Sequence, residues 1–372
     1  MRIGFDAKRL FNNFTGLGNH SRTTIDILTE FYPENEYLLY TPKIKLNDTT
    51  CRYTDKEHCT TIQPHGLLRG SIWRTFGLSS AVKKDSADIF HGLSNELPAA
   101  LKTPSVVTIH DVAFKTFPDM YHAPDRFTYH LKWRHACKTA DRIIAISQTT
   151  KEDIIRFYHV DPARIDIVYQ PVSPLYYTDD QGICPHSLCE QVNGKPYMLY
   201  VGSINSRKNL LGIIKAMELL PDDLKIPLVV IGNGREYKQK VLSYIDSHNL
   251  KDLVIFGNGK VSTRELRYLY SNARLLVYPS FYEGFGLPVV EALLSRCPVV
   301  TSNVSSLPEA AGPDSLTVDP NDISQIADGM AAILTDDRLK ESMVRKGYRY
   351  AMDNFSPKVL ADRLMDVYRK LI

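Results

Sequence analysis

The stretch Phe281-Tyr282-Glu283-Gly284-Phe285-Gly286-Leu287-Pro288-Val289-Val290-Glu291-Ala292 decides how the rest of the chain is read. It follows an apolar run ending at Tyr278-Pro279-Ser280, so it spells strand, glycine-bearing loop and helix start in that order. Gly284 and Gly286 let backbone approach a ligand closely, and Pro288 suits a first helical turn, where its missing N–H has no intrahelical role. The amides of Gly286 and Leu287 then point out of a helix N-terminus, a ready place for a phosphate. Glu283 falls in the loop and Glu291 in the first helical turn, which directs both carboxylates to one pocket. A carboxylate suits vicinal sugar hydroxyls because it accepts two hydrogen bonds at once. A plain turn with a helix-dipole carboxylate explains Glu291 but leaves Glu283 without a role.

Working outward, the same strand-then-helix grammar recurs, the pattern of parallel sheets with crossover helices. In the first half the runs 2–5, 36–40, 89–91, 105–109, 142–145 and 165–168 read as strands. The stretch 149–158 reads as a helix capped by Ser147. Pro171, Pro174, Pro185, Gly182 and Gly194 break the rhythm and mark a linker over 171–195. A second cycle gives strands at 197–201, 228–231, 253–256, 274–277 and 298–301, with a helix from about 210 to 220. With 372 residues, the chain fits two domains of about 100–200 residues each. The expected division is an N-terminal Rossmann-like domain over 1–175 and a C-terminal one over 195–356, the last helix, 357–372, packing back on the first. Two α/β domains joined by such a linker suggest a cleft between them that takes a ligand.

Composition narrows the partners. The net charge of +3 does not call for nucleic acid. The excess sits early: residues 1–170 carry 22 Lys/Arg against 19 Asp/Glu, and 171–372 carry 23 of each. A mildly basic front half suits an anionic membrane face as well as it suits plain solvation. No run approaches the ~18 apolar residues of a membrane span, and no signal peptide opens the chain, so a cytoplasmic place is expected, with peripheral contact at the inner membrane face left open. The six cysteines form no CxxC pair. Cys184, His186 and Cys189, or Cys51, His58 and Cys59, are too few and too widely spaced for structural zinc, so free thiols are expected.

The motifs, taken together, resemble the retaining GT-B glycosyltransferases of family 4, marked by two glutamates eight positions apart in an EGFGLP…EA context. The resemblance runs through Thr15-Gly16-Leu17-Gly18-Asn19, Ile109-His110-Asp111, Ile146-Ser147-Gln148, Tyr200-Val201-Gly202-Ser203, Arg207-Lys208-Asn209, 298–303 and Leu307-Pro308-Glu309-Ala310. The nearest likeness is to bacterial mannosyltransferases of polysaccharide assembly. It implies two Rossmann-like domains facing each other across a cleft. It also implies a nucleotide-sugar donor, with GDP-mannose favoured, a glycan or lipid-linked acceptor and transfer with retention. The chain departs from the family at Arg296, where glycine is common at a left-handed helix end, a replacement expected to cost local stability. It departs again at Gln170-Pro171-Val172, where Asn-Gly-Val is usual.

The resemblance also distributes roles. Arg207 and Lys208, between a strand end and a helix start, suit a leaving diphosphate. Gly16 and Gly18 let a front-domain loop touch the donor, and His110 at a strand end lies near the transferred sugar. Glu283 holds the sugar and Glu291 the ribose; Phe285, Gly286 and Leu287 line the phosphates, while Gly232, Gly234 and Val261 frame the base. His91 is a weaker candidate for the acceptor, and Asp111 orients its own loop. There is no Asp-x-Asp, the nearest form being Asp55-Lys56-Glu57, so neither metal nor cofactor is expected. The rivals are a UDP-sugar transferase on the same fold, a nucleotide-sugar epimerase, and a hinge-closing binding protein without catalysis.

Overall fold

The computed structural model describes residues 1–64, 70–257, 259 and 261–372. The chain divides into two compact units, Met1–Pro171 with Ser356–Ile372, and Val172–Phe355. The first holds a seven-stranded sheet in the order β3-β2-β1-β4-β5-β6-β7, from β1 (Arg2–Asp6), β2 (Glu36–Tyr40), β3 (Cys59–Ile62), β4 (Ile89–Gly92), β5 (Ser105–Ile109), β6 (Arg142–Ala145) and β7 (Ile165–Ile167). The second holds six strands, β10-β9-β8-β11-β12-β13, from β8 (Met198–Val201), β9 (Leu228–Ile231), β10 (Val254–Phe256), β11 (Leu275–Tyr278), β12 (Val299–Ser302) and β13 (Leu316–Val318). Every pairing is parallel, so each sheet is covered by crossover helices and its central strands are apolar on both faces. Strand order reverses between β1 and β4 in one sheet and between β8 and β11 in the other, and the crevice at such a reversal is where α/β folds bind ligands.

The final helix, Pro357–Arg369, completes the first unit's core with Leu360, Leu364, Met365 and Tyr368, packed among Ile3, Phe5 and Ile25. The Tyr368 hydroxyl meets His91 Nδ1 at 2.7 Å beneath the sheet. Ser147 caps the helix Gln148–Tyr158 by accepting the Thr150 amide.

Three expectations are corrected. From Val172 on, the stretch read as a linker belongs to the second unit, and it contains a helix, His186–Val192, started by Pro185. Cys184 and Cys189 are not free thiols: Cys184, just ahead of the helix, has its Cα 6.5 Å from that of Cys189 within it, and the two are joined as a disulfide. Gly16 and Gly18 do not lie in a loop, because Asn13 Oδ1 accepts the Thr15 and Gly18 amides and so starts the helix Gly16–Phe31 already at Gly16.

Candidate functional site

Strands β8 and β11 are neighbours, so the loops leaving their C-terminal ends meet. After β8, a 3-10 turn Ser206–Lys208 is capped by Asn205, whose Oδ1 accepts the Lys208 amide at 3.2 Å. Asn209 then takes a left-handed conformation (φ 56°) and anchors itself by donating to the Pro320 carbonyl at 2.8 Å. The Phe281 amide, from the loop after β11, donates to the Arg207 carbonyl at 2.8 Å and locks the two loops together.

That lock builds a buried ionic group. Glu283 Oε2 lies 3.0 Å from Arg207 Nη1, and its Oε1 lies 3.0 Å from Lys208 Nζ. The Tyr278 hydroxyl, at the end of β11, donates to Glu283 Oε1 at 3.0 Å and accepts from Lys208 Nζ. Burial pushes the Glu283 carboxyl up, but Lys208 and Arg207 outweigh it and hold it at about 2. Burial and the neighbouring Glu283 carboxylate push the Tyr278 phenol well above its ordinary value, so it stays protonated and donates. The group thus carries two cations and one carboxylate, a net charge of one positive in a dry setting. An anion gains far more there than in water.

The loop is held from below as well. Ser305 Oγ accepts the Glu283 amide at 3.0 Å, and the Ser306 hydroxyl is shared between the Glu283 and Phe285 carbonyls at 2.8 and 2.9 Å. The Phe285 ring packs against Phe355, so its backbone, and not its side chain, is what the loop can offer a ligand. Gly286 stands at φ 112°, and a Cβ there would meet Leu307 Cδ2 at 2.9 Å; backbone conformation and space both require glycine. The helix Leu287–Leu294 begins at this point, with Leu287 and Pro288 ahead of its first internal bond, Val289 N–H to Gly286 O at 2.9 Å.

Glu291 lies beyond the first turn of that helix, a correction to its expected position, since Leu287 is already helical. Its Oε2 accepts from the Tyr270 hydroxyl at 3.0 Å. Burial raises its carboxyl to about 7, only partly offset by the Tyr270 bond. The two glutamates therefore belong to different hydrogen-bond sets: Glu283 is charged and held by Arg207, Lys208 and Tyr278, Glu291 poised between its two protonation states. Val261 is half-buried just before the capping box Ser262–Glu265. Gly232 and Gly234 abut the carbonyls of Gly202 and Ile204 so closely that a Cβ would overlap them, which packs the β8 and β9 loops together.

In the first unit, His110 follows β5 and is buried. Its Nε2 meets the Leu93 carbonyl at 2.9 Å and its Nδ1 meets the Gln170 side-chain amide nitrogen at 2.6 Å. A carbonyl only accepts, so Nε2 carries the proton and Nδ1 is the bare nitrogen that the Gln170 NH2 satisfies. Burial pushes His110 down to about 4, which leaves it neutral at physiological pH. His20 stands edge-on to it at 4.6 Å. Gly18 packs against the Asn13 carbonyl, whereas Gly16 is exposed with open space around it. The Asp111 carboxylate takes the Ala113 amide and so orients its own loop. His91 is corrected from a candidate to a core residue: both ring nitrogens are taken, by Tyr368 and by Thr108 Oγ1 at 2.8 Å.

Tyr278, Tyr270, Asn205, Ser305, Ser306 and Gln170 were not legible as site residues. Tyr278 had a signal, since a polar hydroxyl at the end of an otherwise apolar strand needs a partner. Gln170 had one too, standing where family members carry asparagine. Among the described residues, no three His, Cys, Asp or Glu side chains are grouped to hold a metal ion.

Comparison with known proteins places this geometry. Residues 190–350 match the family model Glycosyl transferases group 1, and residues 25–174 match Glycosyltransferase Family 4. The chain is 35% identical over 287 residues to the O-antigen chain mannosyltransferase B of Escherichia coli, covering 76% of this chain and 74% of that one. It is 30% identical over 256 residues to the O-antigen chain mannosyltransferase RfbU of Salmonella typhimurium, covering 68% and 67%. In fold it is similar to Anabaena Alr3699/HepE, solved with UDP and glucose, at a TM-score of 0.74 and 16% identity with both chains fully covered. It is similar also to WaaG, a glycosyltransferase involved in lipopolysaccharide biosynthesis, at 0.66 and 19% with 99% of each chain covered. Two parallel α/β units, a cationic group at the β8/β11 reversal and relatives at 30–35% identity over two thirds or more of the chain agree: this protein belongs to the glycosyltransferases of group 1 and family 4, with the GT-B fold.

Proposed function

We propose that the enzyme transfers mannose from GDP-mannose to a hydroxyl of a glycan or lipid-linked acceptor, with retention at the anomeric carbon and without a divalent metal. The observation that carries the reading is the Arg207–Lys208–Glu283–Tyr278 group beside the Gly286–Leu287 helix start. Its net positive charge suits a diphosphate whose charge grows as the glycosidic bond breaks, the stabilisation that a metal supplies in other transferases. Both Glu283 oxygens are engaged by donors and its carboxyl is held at about 2, which makes it a poor nucleophile and no proton donor. A double displacement through Glu283 is therefore disfavoured. Attack from the face the diphosphate leaves is favoured: the acceptor oxygen bonds to the anomeric carbon, the glycosidic C–O bond breaks, and the acceptor proton passes to the departing diphosphate. Glu283 accepts from a sugar hydroxyl beside its protein donors, neutral His110, with both ring nitrogens engaged, acts neither as an acid nor as a direct sugar partner, and Glu291 takes the ribose. The mannose assignment draws on the likeness to the two O-antigen mannosyltransferases.

The test is a thermal-shift panel followed by turnover. GDP-mannose should raise Tm more than UDP-glucose or UDP-GlcNAc, by mass action on the native state. Turnover of the best donor should persist in excess EDTA and yield an α-linked product by NMR. Preference for a UDP-sugar overturns the base assignment; activity lost to EDTA and restored only by Mg²⁺ or Mn²⁺ overturns the metal-free reading.

A further inference from the structure

In the second unit the stretch from Leu175 to Ile183 is strapped to the helix Thr263–Asn272. Arg267, buried in that helix, donates to the carbonyls of Leu175, Thr178 and Asp180 at 3.2, 2.8 and 2.6 Å. Arg264 pairs with the Asp180 carboxylate at 3.0 Å, and the Ile183 amide donates to the Arg264 carbonyl at 3.1 Å, so the strap is fixed up to the residue before Cys184. The next element is held differently. In the helix His186–Val192, Leu188 reaches the end of β10, where a Cβ added to Gly257 would stand 3.4 Å from Leu188 Cδ1. Between this helix and Thr263–Asn272 lies a cavity of about 360 Å³, lined by Leu188, Cys189, Val192, Tyr268 and Leu269 among others. Atoms that line a void lack packing partners, so the cavity does not fix the helix from that side. The Cys184–Cys189 disulfide does so instead, pinning the helix's first turn to the end of the strap.

The bond spans only five positions, and closing so short a loop constrains the unfolded chain less than closing a long one. Cys184 is exposed and Cys189 half-buried, so a thiolate from solution can attack the bond at Cys184. Cys137 and Cys297 lack that access: both are buried, and burial pushes their thiols up to about 12. We propose that Cys184 and Cys189 form a reversible thiol–disulfide site, through which small thiols and disulfides of the glutathione class set the second unit's hold on its nucleotide. In the oxidising direction one Cys thiolate attacks glutathione disulfide, breaks its S–S bond and releases one glutathione. The second Cys thiolate then displaces the other, and the Cys184–Cys189 bond forms. The two protons of the protein thiols pass to the two glutathione thiolates, and the two electrons lost by the protein reduce glutathione disulfide. When the bond is reduced, the helix is free to settle into the cavity and Leu188 draws away from Gly257. From there the chain runs on to Val261 and to the helix that presents Tyr270 to Glu291. Reduction therefore loosens the edge that takes the base; only this consequence rests on the reading of a GDP-sugar donor.

The test compares the full chain equilibrated with glutathione disulfide or with dithiothreitol, by peptide mass spectrometry, amide hydrogen exchange and GDP titration. The oxidised protein should yield a peptide linked through Cys184 and Cys189. Reduction should speed exchange of the 186–192 amides at least about fivefold and raise the Kd for GDP at least about threefold. Cys184→Ser should give the reduced values under both conditions, and Cys51→Ser should keep the full difference, since Cys51 is exposed but joined to nothing. No bond formed with glutathione disulfide overturns the proposal, as does equal exchange in the two states or a Cys184→Ser variant that still responds. Equal GDP affinity beside unequal exchange overturns the link to the nucleotide. GDP bound in neither state overturns the donor reading instead, and the exchange comparison still decides the redox site.

Discussion

Lowering the pH from 8 to 6 should weaken donor binding through Glu291. Its carboxyl sits at about 7 because burial disfavours the charge, and the Tyr270 hydroxyl 3.0 Å away relieves only part of that cost. To hold two ribose hydroxyls as acceptor alone, Glu291 must be ionised. With a midpoint near 7, the ionised fraction falls from about nine tenths at pH 8 to about one tenth at pH 6, so the apparent donor affinity should drop roughly tenfold. Saturated turnover should change little, because ribose contacts are alike in ground and transition states. The buried histidines His20, His91 and His110 are held well below that pH range by burial, and Tyr176 and Tyr177 well above it. A nucleotide sugar's phosphates, each doubly esterified, do not titrate there. The assay is initial-rate KM for donor from pH 5.5 to 8.5, in wild type, Glu291→Gln and Tyr270→Phe. Glu291→Gln should show a raised but flat KM. Tyr270→Phe should move the midpoint upward, since the lost bond was the one pulling the carboxyl down. A flat wild-type profile between pH 6 and 8, or an unchanged slope in Glu291→Gln, would refute the reasoning.

Lys208→Ala should lower kcat by at least about 100-fold, as expected for a lost partner of transition-state charge, and near-normal turnover would remove Lys208 from the diphosphate site. Gln170→Glu should raise the His110 midpoint from about 4, because a carboxylate in place of the amide can only accept and so needs a proton on Nδ1; an unmoved His110 ring signal in an NMR titration would reject the assigned tautomer. Arg296→Gly should change stability little by chemical denaturation, since relief of the left-handed backbone, φ 58°, worth about 1 kcal/mol, is offset by loss of the guanidinium's stacking on Tyr348 at 4.3 Å. Arg296→Ala keeps the strain, loses the stacking and should cost about 1 kcal/mol.

The central strands, the order of elements and the Glu283/Glu291 loop were legible because burial on both faces writes itself as apolar runs and because strand–loop–helix starts have their own glycine and proline punctuation. The two strands not foreseen, β3 (Cys59–Ile62) and β13 (Leu316–Val318), are two of the four edge strands, and there partial exposure dilutes the apolar signal with threonines. Local readings failed where a partner distant in sequence decides the outcome. His91 became a core residue only when Tyr368 arrived, 277 positions away, and Gln170 became the partner of His110 across 60 positions. The same holds for the electrostatics. The family resemblance put Arg207, Lys208 and Glu283 at one donor site, but it did not show the contacts of Glu283 with both cations and Tyr278. Nor did it show that Glu291, eight residues on, would be left near neutrality. Spacing along a chain fixes which side chains are available; desolvation and the distance to the nearest opposite charge, both set by tertiary packing, fix what each carboxylate can do.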